Sequence, residues 1–176
     1  MVIKEKYSQE EWDLISSTPL LVGAGMSAAA NSGIMGTMKE ALANTQTMLG
    51  GGDEFADSQL VIAVAKKPES MADARQRAAD QRAQLTEQMK ARDISKPEEM
   101  LELVIDNCRK VSFLLNEKED ATEAQAYKSW LVSIADKVAN SASEGGFLGF
   151  GGTKFSEEEK TFLDQIKVAL GLDEAV

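Results

Sequence analysis

The chain has 176 residues, 43% apolar and 6% aromatic, enough for one domain with a core of aliphatics, Ala and Met. Its formal charge is −10 with no histidine and a single cysteine. These numbers exclude the commonest general base and metal ligand, an intramolecular disulfide and a thiolate zinc site. They also set an acidic surface against any phosphate backbone, so nucleic acid is not an expected partner.

The N-terminus, with Lys4-Glu5-Lys6 and then Glu10-Glu11, lacks the basic-then-apolar order of a signal peptide. The lone cysteine suits a reducing cytoplasm. Ser8-Gln-Glu-Glu11 is a capping box, and Tyr7 and Trp12 flank it as a hydrophobic staple, so a short first helix starts here. Thr18-Pro19 reads as a fresh cap with proline at the first helical position, opening a second helix over residues 20–30. The uncharged run 14–38 is long enough to span a bilayer. Its Gly, Ala, Ser and Asn content, with Pro19 and Asn31 inside it, argues against a span. Asn31-Ser32-Gly33 breaks the helix. Another runs over 34–48 to the stop at Gly50-Gly51-Gly52.

Asp53 is placed to cap a helix reaching residue 67, ended by Pro68. Residues 70–92 are nearly all strong helix formers with a thin apolar stripe of Met71, Ala74, Ala78, Leu85 and Met89, which predicts an outer, solvated helix. Ser95-Lys-Pro-Glu98 reads as a second capping box. After it, Leu101, Val104, Ile105, Cys108, Val111 and Leu115 recur at helical spacing. Thr122-Glu-Ala-Gln125 reads as a third box, before Tyr127, Leu131, Ile134 and Val138. Ser156-Glu-Glu-Glu159 is a fourth, before Phe162, Leu163, Ile166, Ala169 and Leu170, with Gly171 as the stop. No segment alternates as a strand. The fold class is therefore all-α: one domain over 1–176, six to eight helices in a compact bundle, with an ordered glycine-rich loop before the last helix.

That loop is the candidate interaction segment: Gly145, Gly146, Phe147, Leu148, Gly149, Phe150, Gly151 and Gly152. A plain linker would be glycine with serine, whereas Phe147, Leu148 and Phe150 are poorly solvated side chains. Segments 21–42 and 131–163 share the order helix, glycine turn, acidic helix start, a pattern that either a duplication or two similar amphipathic hairpins produce.

Motifs that would carry chemistry are incomplete. Gly23-Ala-Gly-Met-Ser-Ala28 matches the GxGxxA dinucleotide fingerprint, and Gly23-Ala-Gly-Met-Ser with Ser32-Gly33-Ile34 resembles the sirtuin NAD motif. The fingerprint needs a preceding strand, and sirtuins need a catalytic histidine. Small residues that let helices pack closely explain Gly25, Ala29 and Gly33 instead. Residues 146–154 lack the Gly-Lys pair of a phosphate loop, and Glu157-Glu158-Glu159 already occupy the positive end of the next helix. Cys108 lies on an apolar line and reads as structural. Glu117, Glu119, Asp120 and Glu123 lack EF-hand spacing and read as a solvated charged surface. Arg75, Arg77 and Arg82 have no interleaved aromatics for stacking bases. Charge is partitioned: residues 66–96 are net +3, between segments of −5 and −8.

The tail, from Trp130-Leu131 through Val138-Ala139, Glu144 and the glycine loop to Ser156 and Leu170-Gly171, resembles a family of small acidic bacterial proteins that share it. That resemblance implies a helical domain and no particular activity. The helix, glycine turn and Glu pattern is also similar to tellurite-resistance TerB-like domains, which are all-helical with acidic metal-binding turns. Here Ser32 stands where that family usually places Asp, and Glu40 falls one residue later than its pattern. The reading favoured is a non-catalytic cytoplasmic domain acting through an unknown protein partner or its own copy, with no catalytic, cofactor or metal residues. The alternative is a small-ligand or metal-responsive stress domain of the TerB-like kind, and an NAD-binding enzyme stands third.

Ordering five glycines costs more backbone entropy than any other composition, and burying Phe147 and Phe150 returns about 1.5–3 kcal/mol each. Phe147→Ser with Phe150→Ser is expected either to lower the melting temperature or to abolish an association at unchanged stability. If both are unmoved and the loop amides exchange freely in the wild type, the segment is a linker.

Overall fold

The computed structural model describes residues 3–30, 52–144 and 156–172. Its first helix, α1 (Gln9–Ala30), opens at the Ser8 box as the sequence predicts. The Ser8 backbone N–H donates to Glu11 Oε2 at 2.7 Å, and the Glu11 N–H donates to Ser8 Oγ at 3.2 Å. Tyr7 and Trp12 rings lie 6.1 Å apart, closing the staple.

α1 does not stop at Thr18-Pro19. It passes through them as one continuous helix, which overturns the expected break. A proline there leaves the Ile15 carbonyl without its helical donor and normally costs ~3 kcal/mol or more. Tyr127, from a distant helix, supplies the donor: its hydroxyl donates to Ile15 O at 2.5 Å. Thr18 Oγ1 donates to Leu14 O at 2.7 Å and turns inward rather than capping. Residues 17–26 are all buried, so this stretch of α1 is enclosed by protein on every side, which suits its uncharged composition. That accounts for the described part of the uncharged run. No helix among the described residues is long and apolar enough to cross a membrane.

Among the described residues five further α-helices follow: α2 (Gln59–Val64), α3 (Met71–Ala91), α4 (Pro97–Lys118), α5 (Ala121–Glu144) and α6 (Glu157–Leu170). No strand occurs among the described residues, and the fold is all-α as expected. α4, α5 and α6 pack around α1, and α4 packs on α6. The core comprises Ile15, Leu21 and Met26 of α1 with Leu103 and Leu115, Trp130 and Leu131, and Phe162 and Ile166. A Cβ on Gly25 would stand 2.8 Å from Val104 Cγ2 and 3.0 Å from the Phe162 ring, so glycine sets how closely α1 approaches α4 and α6. α3 buries only Leu85 and is solvated elsewhere, as its composition predicts.

Three helix starts differ from expectation. The helix expected from Asp53 is a 3-10 turn, Gly52–Phe55, and α2 begins only after Ser58, whose Oγ accepts from Val61 N at 3.1 Å. The second box is shifted by one residue. Lys96 is the cap, Pro97 stands at the first helical position, and Glu99 accepts from the N–H groups of Ser95 and Lys96 at 2.7 and 3.0 Å. Thr122 lies inside α5. Asp120, a stronger cap, accepts from the N–H groups of Thr122 and Glu123, both at 2.9 Å. The Ser156–Glu159 box and the Gly171 stop, at φ 68°, form as read. The two glycine turns of the internal repeat lie outside the described residues, as does the helix expected over 34–48.

Tyr127→Phe strands the Ile15 carbonyl in the core and is expected to cost about 1–3 kcal/mol by urea unfolding. With Pro19→Ala the residue 19 N–H can donate to that carbonyl, so the same Tyr127→Phe change should cost much less in that background. Equal costs in both backgrounds would refute the compensation.

Candidate functional site

The predicted interaction loop, Gly145 to Gly152, lies outside the described residues, as do Ser32, Gly33 and Glu40 of the TerB-like pattern. The dinucleotide fingerprint is described. Gly23 to Ala28 sits in the middle of α1, where no strand precedes it and no free helix N-terminus meets a pyrophosphate. Cys108 is buried, and burial pushes its thiol up to about 12. Arg109 and Lys110 beside it are exposed, as their positions predict.

The acidic cluster at the α4–α5 junction is only in part the solvated surface expected of it: Glu117 and Asp120 are exposed, whereas Glu119 and Glu123 turn inward. The Glu119 side chain is 2% exposed and accepts hydrogen bonds from Tyr7 Oη and, at 2.7 Å, from Lys6 Nζ. The Glu119 hydrogen bond holds the Lys6 ammonium above its ordinary range. Burial first, and then the same carboxylate, push the Tyr7 phenol up. Glu123 accepts from Ser58 Oγ at 2.5 Å and from the Leu60 N–H at 2.7 Å. Two of these carboxylates thus tie the N-terminal segment and α2 to the α4–α5 junction. No group of three or more His, Cys, Asp or Glu among the described residues could hold a metal ion.

Glu159 uses one carboxylate oxygen in its capping box, and the other, Oε1, is buried without a hydrogen-bond partner. Lys128 donates to Asn116 Oδ1 at 2.7 Å, and burial lowers its pKa.

A groove of about 1060 Å³ lies between α4 and α6, lined also by Arg92 and Ile94, which follow α3. The two helices run parallel. Gly25 rests between Val104 and Phe162, and Ser112 Oγ donates to Leu170 O at 3.0 Å, an equal advance on both. Ile94, Leu101, Ile105 and Val168 supply the apolar floor, and Glu98, Glu102, Asp106 and Asp164 line its walls with Arg92 and Arg109. Arg92 is paired with Asp106 at 2.9 Å, whereas Arg109 reaches it only at 3.7 Å. Glu98 and Glu102 are exposed and form no salt bridge among the described residues. Val168 is 58% exposed, as is Phe113, at 65%, one turn beyond Arg109.

Periodicity placed Leu101 and Ile105 on the core line of α4, but they are half-buried and face this groove. The available signal was excess: α4 carries more apolar positions than one core-facing stripe needs. No protein-family model, curated protein or solved structure matches the chain, so its chemistry rests on its own residues.

The two tyrosines, Tyr7 and Tyr127, are both raised, primarily by burial. In the unfolded chain each ionises near pH ~10. Below that both states are neutral and stability is unaffected. Above it the unfolded chain loses protons that the fold retains, so stability falls as pH rises. Tyrosinate absorbance is expected to grow only together with loss of helical circular dichroism. Ionisation near pH ~10 in a folded chain would contradict the buried placement of these phenols.

Proposed function

We propose that this chain is a non-catalytic helical domain that works by protein–protein contact, with the α4–α6 groove as its contact surface. The observation that carries this reading is the open groove itself, with its floor of Ile94, Leu101, Ile105 and Val168. A trough along two parallel helices suits an amphipathic helix, which lays its apolar side chains at three- and four-residue spacing onto such a floor. Small-molecule sites are more enclosed and converge a few polar groups on one point. Here the carboxylates are strung along the walls instead. They also repel phosphate, so a nucleic acid is a poor occupant. Elsewhere among the described residues competing chemistry is lacking: the chain has no histidine, its thiol is buried, and two of its junction carboxylates are committed to hydrogen bonds that hold the fold.

A photo-crosslinking residue at Gln165, in the groove, is expected to give discrete polypeptide adducts in cells of the native host. Val168→Lys should reduce them about tenfold by placing a charge on the apolar floor. The same probe at exposed Glu117, near the far end of α4, is the control. Adducts at Gln165 no stronger than at Glu117 would refute the groove as a contact surface.

A further inference from the structure

We propose that the occupant of the groove is α3 of a second copy of this chain, in a two-fold symmetric dimer. The inference rests on the contact reading above and names its partner. α3 is 21 residues long and buries only Leu85. Its outward strip carries Ala79, Ala83 and Ala91 with Arg82 and Lys90, and one turn before Ala79 stands Arg75. All of these are exposed, and Arg75, Arg82 and Lys90 form no salt bridge among the described residues. Alanines let a second helix pair come close, since interaxial distance follows side-chain size.

The charges are complementary. The strip offers three cations and Glu87, and the groove offers Glu98 and Glu102, with Asp164 paired to Lys167 at 3.4 Å and Arg109 only loosely held by its own Asp106. α3 itself carries four basic and three acidic residues, net +1 in a chain of −10.

Position supplies the symmetry. The strip ends at Lys90 and Ala91, and the groove begins at Arg92 and Ile94. Because the two surfaces meet at one turn, a two-fold axis near that turn lays each α3 over the other copy's groove. The result is a closed, isologous contact rather than a filament.

Sedimentation or light scattering across a concentration series is expected to show a monomer–dimer equilibrium near physiological ionic strength. At about 1 M salt, where charge interactions are screened within ~3 Å, it should shift toward monomer. Charge reversal is the decisive arm. Arg82→Glu with Lys90→Glu makes both the strip and the groove acidic, and Glu98→Lys with Glu102→Lys makes both basic. Each variant alone should raise the dimer Kd at least about tenfold, with unchanged helical circular dichroism and melting temperature. Mixed together they should form a heterodimer, because both of its symmetric contacts are then complementary.

A monomer at every concentration overturns the proposal. So does a dimer that neither reversal weakens, or reversed variants that fail to pair when mixed. If the chain is monomeric while Gln165 crosslinks a different polypeptide, the groove reading survives and the second copy does not. A dimer unaffected by reversal, with no adduct at Gln165, overturns both.

Discussion

The Ile15 carbonyl is the point on which the fold turns. Pro19 removes its helical donor in the middle of the most buried helix, and an unpaired carbonyl there costs about 1–3 kcal/mol. The Tyr127 hydroxyl at 2.5 Å fills that gap and binds the centre of α1 to α5 in the same contact. Because Tyr127 is fully buried, this bond forms only when α1 and α5 are packed together. The local defect in α1 is therefore repaired by tertiary structure alone. The isolated segment would break at Thr18-Pro19, as its sequence suggests. Once α1 is held continuous, Gly25 sits between Val104 and Phe162 and sets its distance from α4 and α6 together. The parallel arrangement of those two helices, and hence the groove between them, follows from the placement of α1.

The junction between α4 and α5 shows how acidic residues can serve the interior. Glu119 and Glu123 look like surface charge in the sequence, yet each collects donors from a segment far away in the chain. Charge-assisted hydrogen bonds are about twice as strong as neutral ones, so a carboxylate can fasten a short element that buries little apolar area. α2 has six residues, too few to form a stable helix by itself. Glu123 and Ser58 together take up the N–H groups that its first turn leaves free.

Much of the architecture was legible because it is local. The Ser8 and Ser156 boxes, the apolar lines of α5 and α6, the Gly171 stop and the thin stripe of α3 are all encoded within a few residues of where they act. Three of the misread positions share one physical cause. Pro19 depends on Tyr127, the start of α2 depends on Glu123, and Glu119 is buried by Tyr7 and Lys6, each partner more than sixty residues away in sequence. No local rule can see such a pairing. Thr122 failed differently: two adjacent cap-forming residues competed, and Asp120 prevailed over the box pattern. The groove was illegible for the first reason. Its floor is shared between α4 and α6, and Leu101 and Ile105 satisfy a core pattern equally well whether they are covered or not.

What distinguishes the outer surface is where charge has been left unspent. Inside the bundle and at its junctions, carboxylates meet lysines or backbone N–H groups. Along the groove Glu98 and Glu102 meet none among the described residues, and along α3 neither do Arg75, Arg82 and Lys90. Two bodies of charge −10 repel at long range. At physiological ionic strength that repulsion is screened beyond about 8 Å, whereas opposite charges brought into contact still attract. Net charge therefore does not forbid self-association. It restricts association to orientations that bring the basic helix against the acidic groove, and the repulsion of all other faces becomes a source of specificity. An outer helix that contributes one buried residue to its own core is weakly justified by the stability of the monomer. Its basic, alanine-lined strip gains a physical role once it has an acidic groove to lie against.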